Sequence, residues 1–265
     1  MEVQTKIGEF VIEPPNVEHL ITEDDTPVDN IFSEKQQRFL VDTLISSHLF
    51  AERPFVVSSN VGIYYGINKP AVVPHVFLSL DVSYPEDIWE KAHRVYMVWM
   101  LGKAPEVVIE VVSNTVGNET GRKFDIYAKM GVLYYIVLDP LCFINKHVLN
   151  VFELKVGEYY RKENNFLDKA GLGLTLWKGS YESRNEEWLR WTDEKGNILL
   201  SGVEKIAFTE QLLAKELENV MQEKQNVEHE RQKAEHERQR AEQERQRAER
   251  LAEKLKALGI NPDEV

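Results

Sequence analysis

Between Ser33 and Phe50 the chain reads SEKQQRFLVDTLISSHLF, and Phe39, Leu40, Thr43, Leu44 and Ser47 fall on one face of a 3.6-residue period. That spacing predicts an amphipathic helix. Ser33 followed by Gln36 has the form of a capping box and places the helix start there. The pattern then changes to that of strands: FVVSSNVGIYYGI (55–67), and VVPHVFLSLDV (72–82) after a Pro-containing turn. PEDIWEKAHRVYMVWMLGKAP (85–105) reads as a short helix or a loop leading into another strand. VVIEVVS (107–113) has apolar residues at both parities, the mark of a strand covered on both faces. NTVGNETGRKFDIYAKMG (114–131) is a loop followed by a helix, with Gly131 where a C′ glycine belongs. VLYYIVLDP (132–140) is the next strand. VLNVFEL and YYRKEN form a hairpin about Val156-Gly157. GLTLW is a further β segment, and EEWLRWTDEKGNILL turns at Lys195-Gly196-Asn197. Helix, strands, helix, strand and hairpin in that order predict a mixed sheet with helices against it, an α/β core.

Residues 1–32 carry few periodic apolar positions and read as an irregular arm with one short strand at FVIEPP. The core domain is therefore set at 33–203. A charged tail, 204–265, follows. Within it EHERQKA, EHERQRA and EQERQRA (228–248) write one seven-residue unit three times. Val227, Ala234, Ala241, Ala248 and Leu255 share one heptad position, while Arg231, Arg238, Arg245 and Ala252 share another. A strong coiled coil needs two large apolar positions per heptad, and only Leu251, Leu255 and Leu258 approach that. The residues leave two readings open: a long solvated helix, or a coiled coil that dimerises or binds a partner through 204–258. Gly259-Ile260-Asn261-Pro262 ends the helix.

The formal charge is −12, and residues 204–265 hold 15 acidic and 12 basic residues, a net of −3, which leaves −9 on the rest. The acidity belongs mainly to the core and opposes tight nonspecific DNA binding. The single cysteine, Cys142, fits a reducing compartment and reads as a small core residue. No basic-then-apolar leader opens the chain, and no run approaches the ~20 apolar residues of a membrane span. The expectation is a soluble cytoplasmic protein that does not enter a membrane. Glycine-rich phosphate loops, zinc-type Cys/His spacing and the GxSxG elbow are absent from the sequence. His93 and His147 stand alone and read as surface residues. Tyr64, Tyr65 and Trp89, Trp99, Trp177, Trp188 and Trp191 read as packing rather than base-stacking platforms.

One residue breaks the apolar rule. Glu110 sits in the middle of VVIEVVS, where an ionised carboxylate costs several kcal/mol unless it is paired or bound to a cation. Either it emerges at the strand end and bonds a loop, or it is a ligand or catalytic group. Ser113, Asn114 and Thr115 leave the strand directly. Lys123 stands four residues before Tyr127, at the edge of the next helix's buried stripe (Phe124, Tyr127, Ala128), from which it can snorkel towards the strand end. Lys129 is less well placed.

VVPHVFLSLDV, APEVVIEVVSN and GRKFDIYAKMGVLYYIVLDP resemble the Uma2 family of restriction endonucleases, part of the PD-(D/E)XK nuclease superfamily, over roughly residues 30–200. The resemblance implies a restriction-endonuclease-like fold that hydrolyses DNA phosphodiester bonds with Mg2+ or Mn2+. It assigns the metal-binding glutamate to Glu110, the serine to Ser113 and the lysine, displaced onto a helix, to Lys123. Glu34 or Gln37 falls where an auxiliary acidic residue is held. It also calls for aspartate at 75, where this chain has His75. Asp81 would lie ~20 Å from His75 along a continuous strand and Glu106 ~13 Å from Glu110, so neither replaces it.

His75 then has three readings: a ligand for a transition metal, the mark of a site that has lost magnesium-dependent activity, or a strand histidine of no consequence. Two functions follow. The first is a metal-dependent endonuclease, with His75 and Glu110 holding the ion, Lys123 assisting the attacking water and Ser113 and Glu34 in support. The second is a catalytically degenerate nuclease-fold scaffold whose C-terminal helix forms a homodimer or recruits a protein partner.

Overall fold

The computed structural model describes residues 5–7, 10–12, 30–50, 52–66, 69–84, 86–89, 93–113 and 121–257. Two compact units result, Met1–Val203 and Glu204–Val265. The arm contributes an antiparallel pair, β1 (Thr5–Ile7) with β2 (Phe10–Ile12). α1 runs Ile31–Ser47. Its start is capped by Asn30, whose Oδ1 accepts from the Ser33 N–H at 2.8 Å; the capping box expected at Ser33 and Gln36 does not form, because both side chains are buried inside the helix's packing face.

β3 (Phe55–Ser59) and β4 (Ile63–Tyr64) follow, then β5 (Val76–Leu80), β6 (Tyr96–Met97), the single-turn α2 (Val98–Leu101) and β7 (Val107–Val111). α3 spans Arg122–Met130 and β8 Tyr134–Leu138. α3 stops at Gly131, whose φ of 92° is the left-handed conformation open to a residue without Cβ, and whose N–H satisfies the Tyr127 and Ala128 carbonyls. β9 (Leu149–Lys155) and β10 (Glu158–Arg161) make the hairpin about Val156-Gly157. β11 (Phe166–Leu167), β12 (Leu172–Tyr181) and β13 (Arg184–Thr192) complete the first unit.

The central sheet has the order β10-β9-β8-β7-β5-β3. Only β7 and β8 are parallel; α3 supplies the crossover between them. β5, β7 and β8 are buried along their whole length, which is why they read as continuous apolar runs. The 55–67 stretch is not one strand: β3 joins this sheet, whereas β4 pairs with β6.

Alternation along β7 sorts the core into two faces. Val107, Ile109 and Val111 pack with Leu40 and Leu44 of α1 and with Leu174, Leu189 and Trp191 of a second sheet. Val108 and Val112 pack with Tyr127 of α3 and Tyr135. The second sheet is β11-β12-β13, a long hairpin that sequence patterning resolves only in part. Its turn residues Glu182 and Ser183 both take positive φ (45° and 63°), the tight two-residue form.

α1 is stitched to β13 by a side chain acting as a strand. The Gln36 amide accepts from the Leu189 N–H (2.8 Å) and donates to the Leu189 carbonyl (3.0 Å), fully buried. Trp191 adds a bond from its indole N–H to the Leu40 carbonyl (3.1 Å).

Trp188 and Trp191 are core residues as expected, but Trp89 and Trp99 are exposed, and so is Cys142, which lies in the turn after β8 with positive φ. α4 is a single 56-residue helix, Gly202–Ala257, and every residue from Ile206 to Leu251 is exposed. No described helix is long and apolar enough to cross a membrane.

Gln36→Leu keeps the volume and strands two buried backbone groups of Leu189. It should lower stability by about 2–3 kcal/mol, read as a reduced urea midpoint with unchanged slope; an unchanged midpoint would refute the strand-like role of this amide.

Candidate active site

β5 and β7 pair antiparallel with Val76 opposite Ile109 and Phe77 opposite Val108. The next rung of that register sets His75 opposite Glu110. By the same alternation the two side chains lie on the α3 face. α3 begins twelve positions after Glu110, at Arg122, so Lys123 and Tyr127, one helical turn apart, both reach back over the end of β7.

The result is a closed cluster around one carboxylate. Glu110 has no exposed surface. Its Oε1 accepts from the Tyr127 hydroxyl at 2.8 Å. Its Oε2 accepts from the Lys123 ammonium at 3.0 Å and faces His75 Nδ1 at 2.5 Å. The same imidazole nitrogen lies 3.3 Å from the Val111 N–H. One nitrogen cannot donate to the carboxylate and accept from the amide together; the shorter contact assigns the proton to Nδ1, donating to Glu110. His75 and Lys123 keep 16% and 26% of their side-chain surface, so the cluster opens to solvent on their side.

Burial by itself pushes the Glu110 carboxyl up. The Lys123 charge, the His75 contact and the Tyr127 hydroxyl outweigh it and hold the group below its ordinary value. Burial first, and then the Glu110 charge, push the Tyr127 phenol well up, so it stays a donor.

From the sequence Tyr127 reads only as stripe packing. The signal was there: a tyrosine rather than a phenylalanine at a buried position needs a partner for its hydroxyl, and it stands one turn beyond a lysine aimed at the same strand.

The other candidates lie elsewhere. Glu34 is on α1, across the sheet from Glu110, where its exposed carboxylate pairs with Arg38 at 2.9 Å. It takes no part in the cluster, because the topology places α1 against the odd-numbered residues of β7. Gln37 is likewise on α1 and its amide donates to Ser33. Ser113 is half-buried just past β7 and makes no side-chain bond to Glu110, His75 or Lys123 among the described residues. Asn114 and Thr115 lie outside the described residues. Asp81 is held by Arg53. Glu106, at the far end of β7, accepts from the Leu80 N–H (2.8 Å) and from Lys103.

The donor set does not fit a magnesium ion. Magnesium takes a near-octahedral shell of oxygens. Among the described residues the one carboxylate at this point, Glu110, already accepts from three donors, and its neighbour is an imidazole. Among the described residues no three His, Cys, Asp or Glu side chains come together as a ligand group. An ammonium group already balances the charge that an ion would neutralise.

A family model described as Uma2, putative restriction endonuclease, matches residues 22–176, more than half of the chain. No curated protein matches it.

Lys123→Met should cost about 2–3 kcal/mol at neutral pH, below the cost of breaking a pair buried on both sides because Lys123 is partly solvated. Glu110 is depressed in the folded state, so its contribution is fully present above the unfolded carboxyl range and is lost as pH falls from that range through the lower folded value. The gap between native and Lys123→Met proteins should therefore narrow between neutral pH and pH ~3, measured by urea unfolding across that range. A gap that is constant with pH would refute the pairing.

Proposed function

The chain belongs to the Uma2 family of putative restriction endonucleases, an α/β restriction-endonuclease-like fold followed by a long charged helix, and we propose that its Glu110 pocket is a DNA phosphodiester site whose magnesium-dependent cleavage His75 has silenced. The observation that carries this reading is the position of His75. It occupies the rung opposite Glu110, the place of the aspartate that the resemblance requires, and its Nδ1 lies 2.5 Å from Glu110 Oε2.

A carboxylate at that rung would bring a second set of oxygens and a second negative charge to one point. Two carboxylates so close repel, and a divalent cation relieves them. The imidazole reverses that logic: it donates to Glu110 instead of competing with it. With Lys123 on the same oxygen, the pocket carries its own compensation, and adding a doubly charged ion would leave uncompensated positive charge in a partly buried place. Lys123 stays at the solvent side, in position to meet a phosphate oxygen. The parts that contact a backbone phosphate are thus retained, while the ion-holding pair is lost.

His75→Asp restores the second carboxylate. Titration calorimetry should show no magnesium binding by the native chain and binding by His75→Asp. Supercoiled plasmid should be nicked by His75→Asp with magnesium, and this cleavage should disappear in His75→Asp/Glu110→Gln. Magnesium- or manganese-dependent cleavage by the native chain that Glu110→Gln removes would overturn the proposal and make His75 a working ligand. Metal binding by His75→Asp without cleavage would also refute it, by showing that more than residue 75 has been lost.

A further inference from the structure

α4 carries one seam from end to end. Every seventh residue from Ile206 to Leu255 is, in order, Ile, Leu, Val, Val, Ala, Ala, Ala and Leu. The second seam position, three residues before each of these, runs Val203, Glu210, Leu217, Lys224 and then Arg231, Arg238 and Arg245. The seam therefore has two halves. From Val203 to Val227 it is mostly large and apolar, broken by Glu210 and Lys224, yet Ile206, Leu213 and Leu217 are 62%, 69% and 55% exposed. Soluble chains rarely leave a contiguous apolar stripe of that kind in water. From Arg231 to Ala248 it alternates alanine with arginine, too thin an apolar surface to hold two helices by itself.

We infer that α4 pairs with α4 of a second copy of this chain, parallel and in register. Orientation follows from the unequal halves. In register, the apolar layers meet apolar layers and the alanine layers meet alanine layers. Lys224, Arg231, Arg238 and Arg245 each lie beside their own copies and depend on glutamates across the seam for compensation. An antiparallel pair overlapping along the whole helix would set Leu217 beside Ala241 and Val220 beside Arg238, burying arginine against valine.

Charge agrees with the same arrangement. Glu230, Glu237 and Glu244 each stand one residue before a seam arginine. In a parallel pair a side chain at that seam position faces the partner's residue preceding its own equivalent. Each arginine then meets a glutamate across the seam. Within one helix Arg245 pairs with Glu242 at 3.2 Å and with Glu249 at 3.6 Å, both exposed. Such pairs contribute only a few tenths of a kcal/mol each, so exchanging them for contacts across the seam costs little. The arginine layers add register rather than strength, since a one-heptad slip would bring Leu217 against Lys224 and Val227 against Ala234.

The test uses the full chain. Light scattering after size exclusion should give twice the monomer mass of 30.8 kDa. Leu217→Glu/Val220→Glu should weaken the dimer by at least ~100-fold in dissociation constant while circular dichroism shows the same helix content. On a Cys142→Ser background, Val220→Cys should form an intermolecular disulfide on mild oxidation, because parallel pairing in register brings each residue 220 to its own copy. A monomer at ~100 µM native protein, a dimer that survives both glutamates, or a dimer that Val220→Cys fails to cross-link would each overturn the inference.

Discussion

A buried carboxylate organises this protein. Glu110 sits at zero exposure in the innermost part of a six-stranded sheet, and three donors from two elements must be in place before its charge is tolerable. β5 brings His75, the first turn of α3 brings Lys123, and the second brings Tyr127. Each donor alone offsets only part of the desolvation of an ionised group. Together they hold the carboxyl below its usual range. The cluster thus acts as a fastener for the one parallel strand pair in the sheet, because α3 is both the crossover from β7 to β8 and the carrier of two of the three donors.

Charge balance follows from the same geometry. A nuclease pocket with two carboxylates is overcharged and gains from a cation. Here a histidine faces Glu110 on the opposite rung, and the lysine neutralises the carboxylate's charge. The distances of 2.5, 2.8 and 3.0 Å to the two oxygens of Glu110 describe a satisfied acceptor. The remote acid at Glu34 cannot alter this, since it faces solvent beyond the opposite side of the sheet.

Much of the architecture was legible from residue patterns, and what escaped has physical reasons. VVIEVVS and VLYYIVLDP announce strands buried on both faces, and Gly131 marks the end of α3. Lys123 was correctly aimed at the strand end from its place at the edge of an apolar stripe. Local pattern misled where a side chain served a distant partner. Gln36 looks like the far half of a capping box but completes β13, 153 positions away in sequence. Glu34 was plausible because a one-dimensional pattern does not say which side of a sheet a helix covers. Tyr127 was seen for its ring and not for its hydroxyl. Cys142 was read as apolar, yet its turn conformation carries it to the surface.

The Lys123 and Tyr127 contacts bear on how such a chain changes over generations. These two residues hold a strand, a crossover and a helix together, so selection for a stable fold is enough to preserve them whatever the site does. Their presence testifies to ancestry without testifying to present use. Aspartate and histidine codons differ by a single base, and the rung at 75 lies at the end of its ladder. On the reading proposed above, a single base change separates a cutting form of this frame from a silent one.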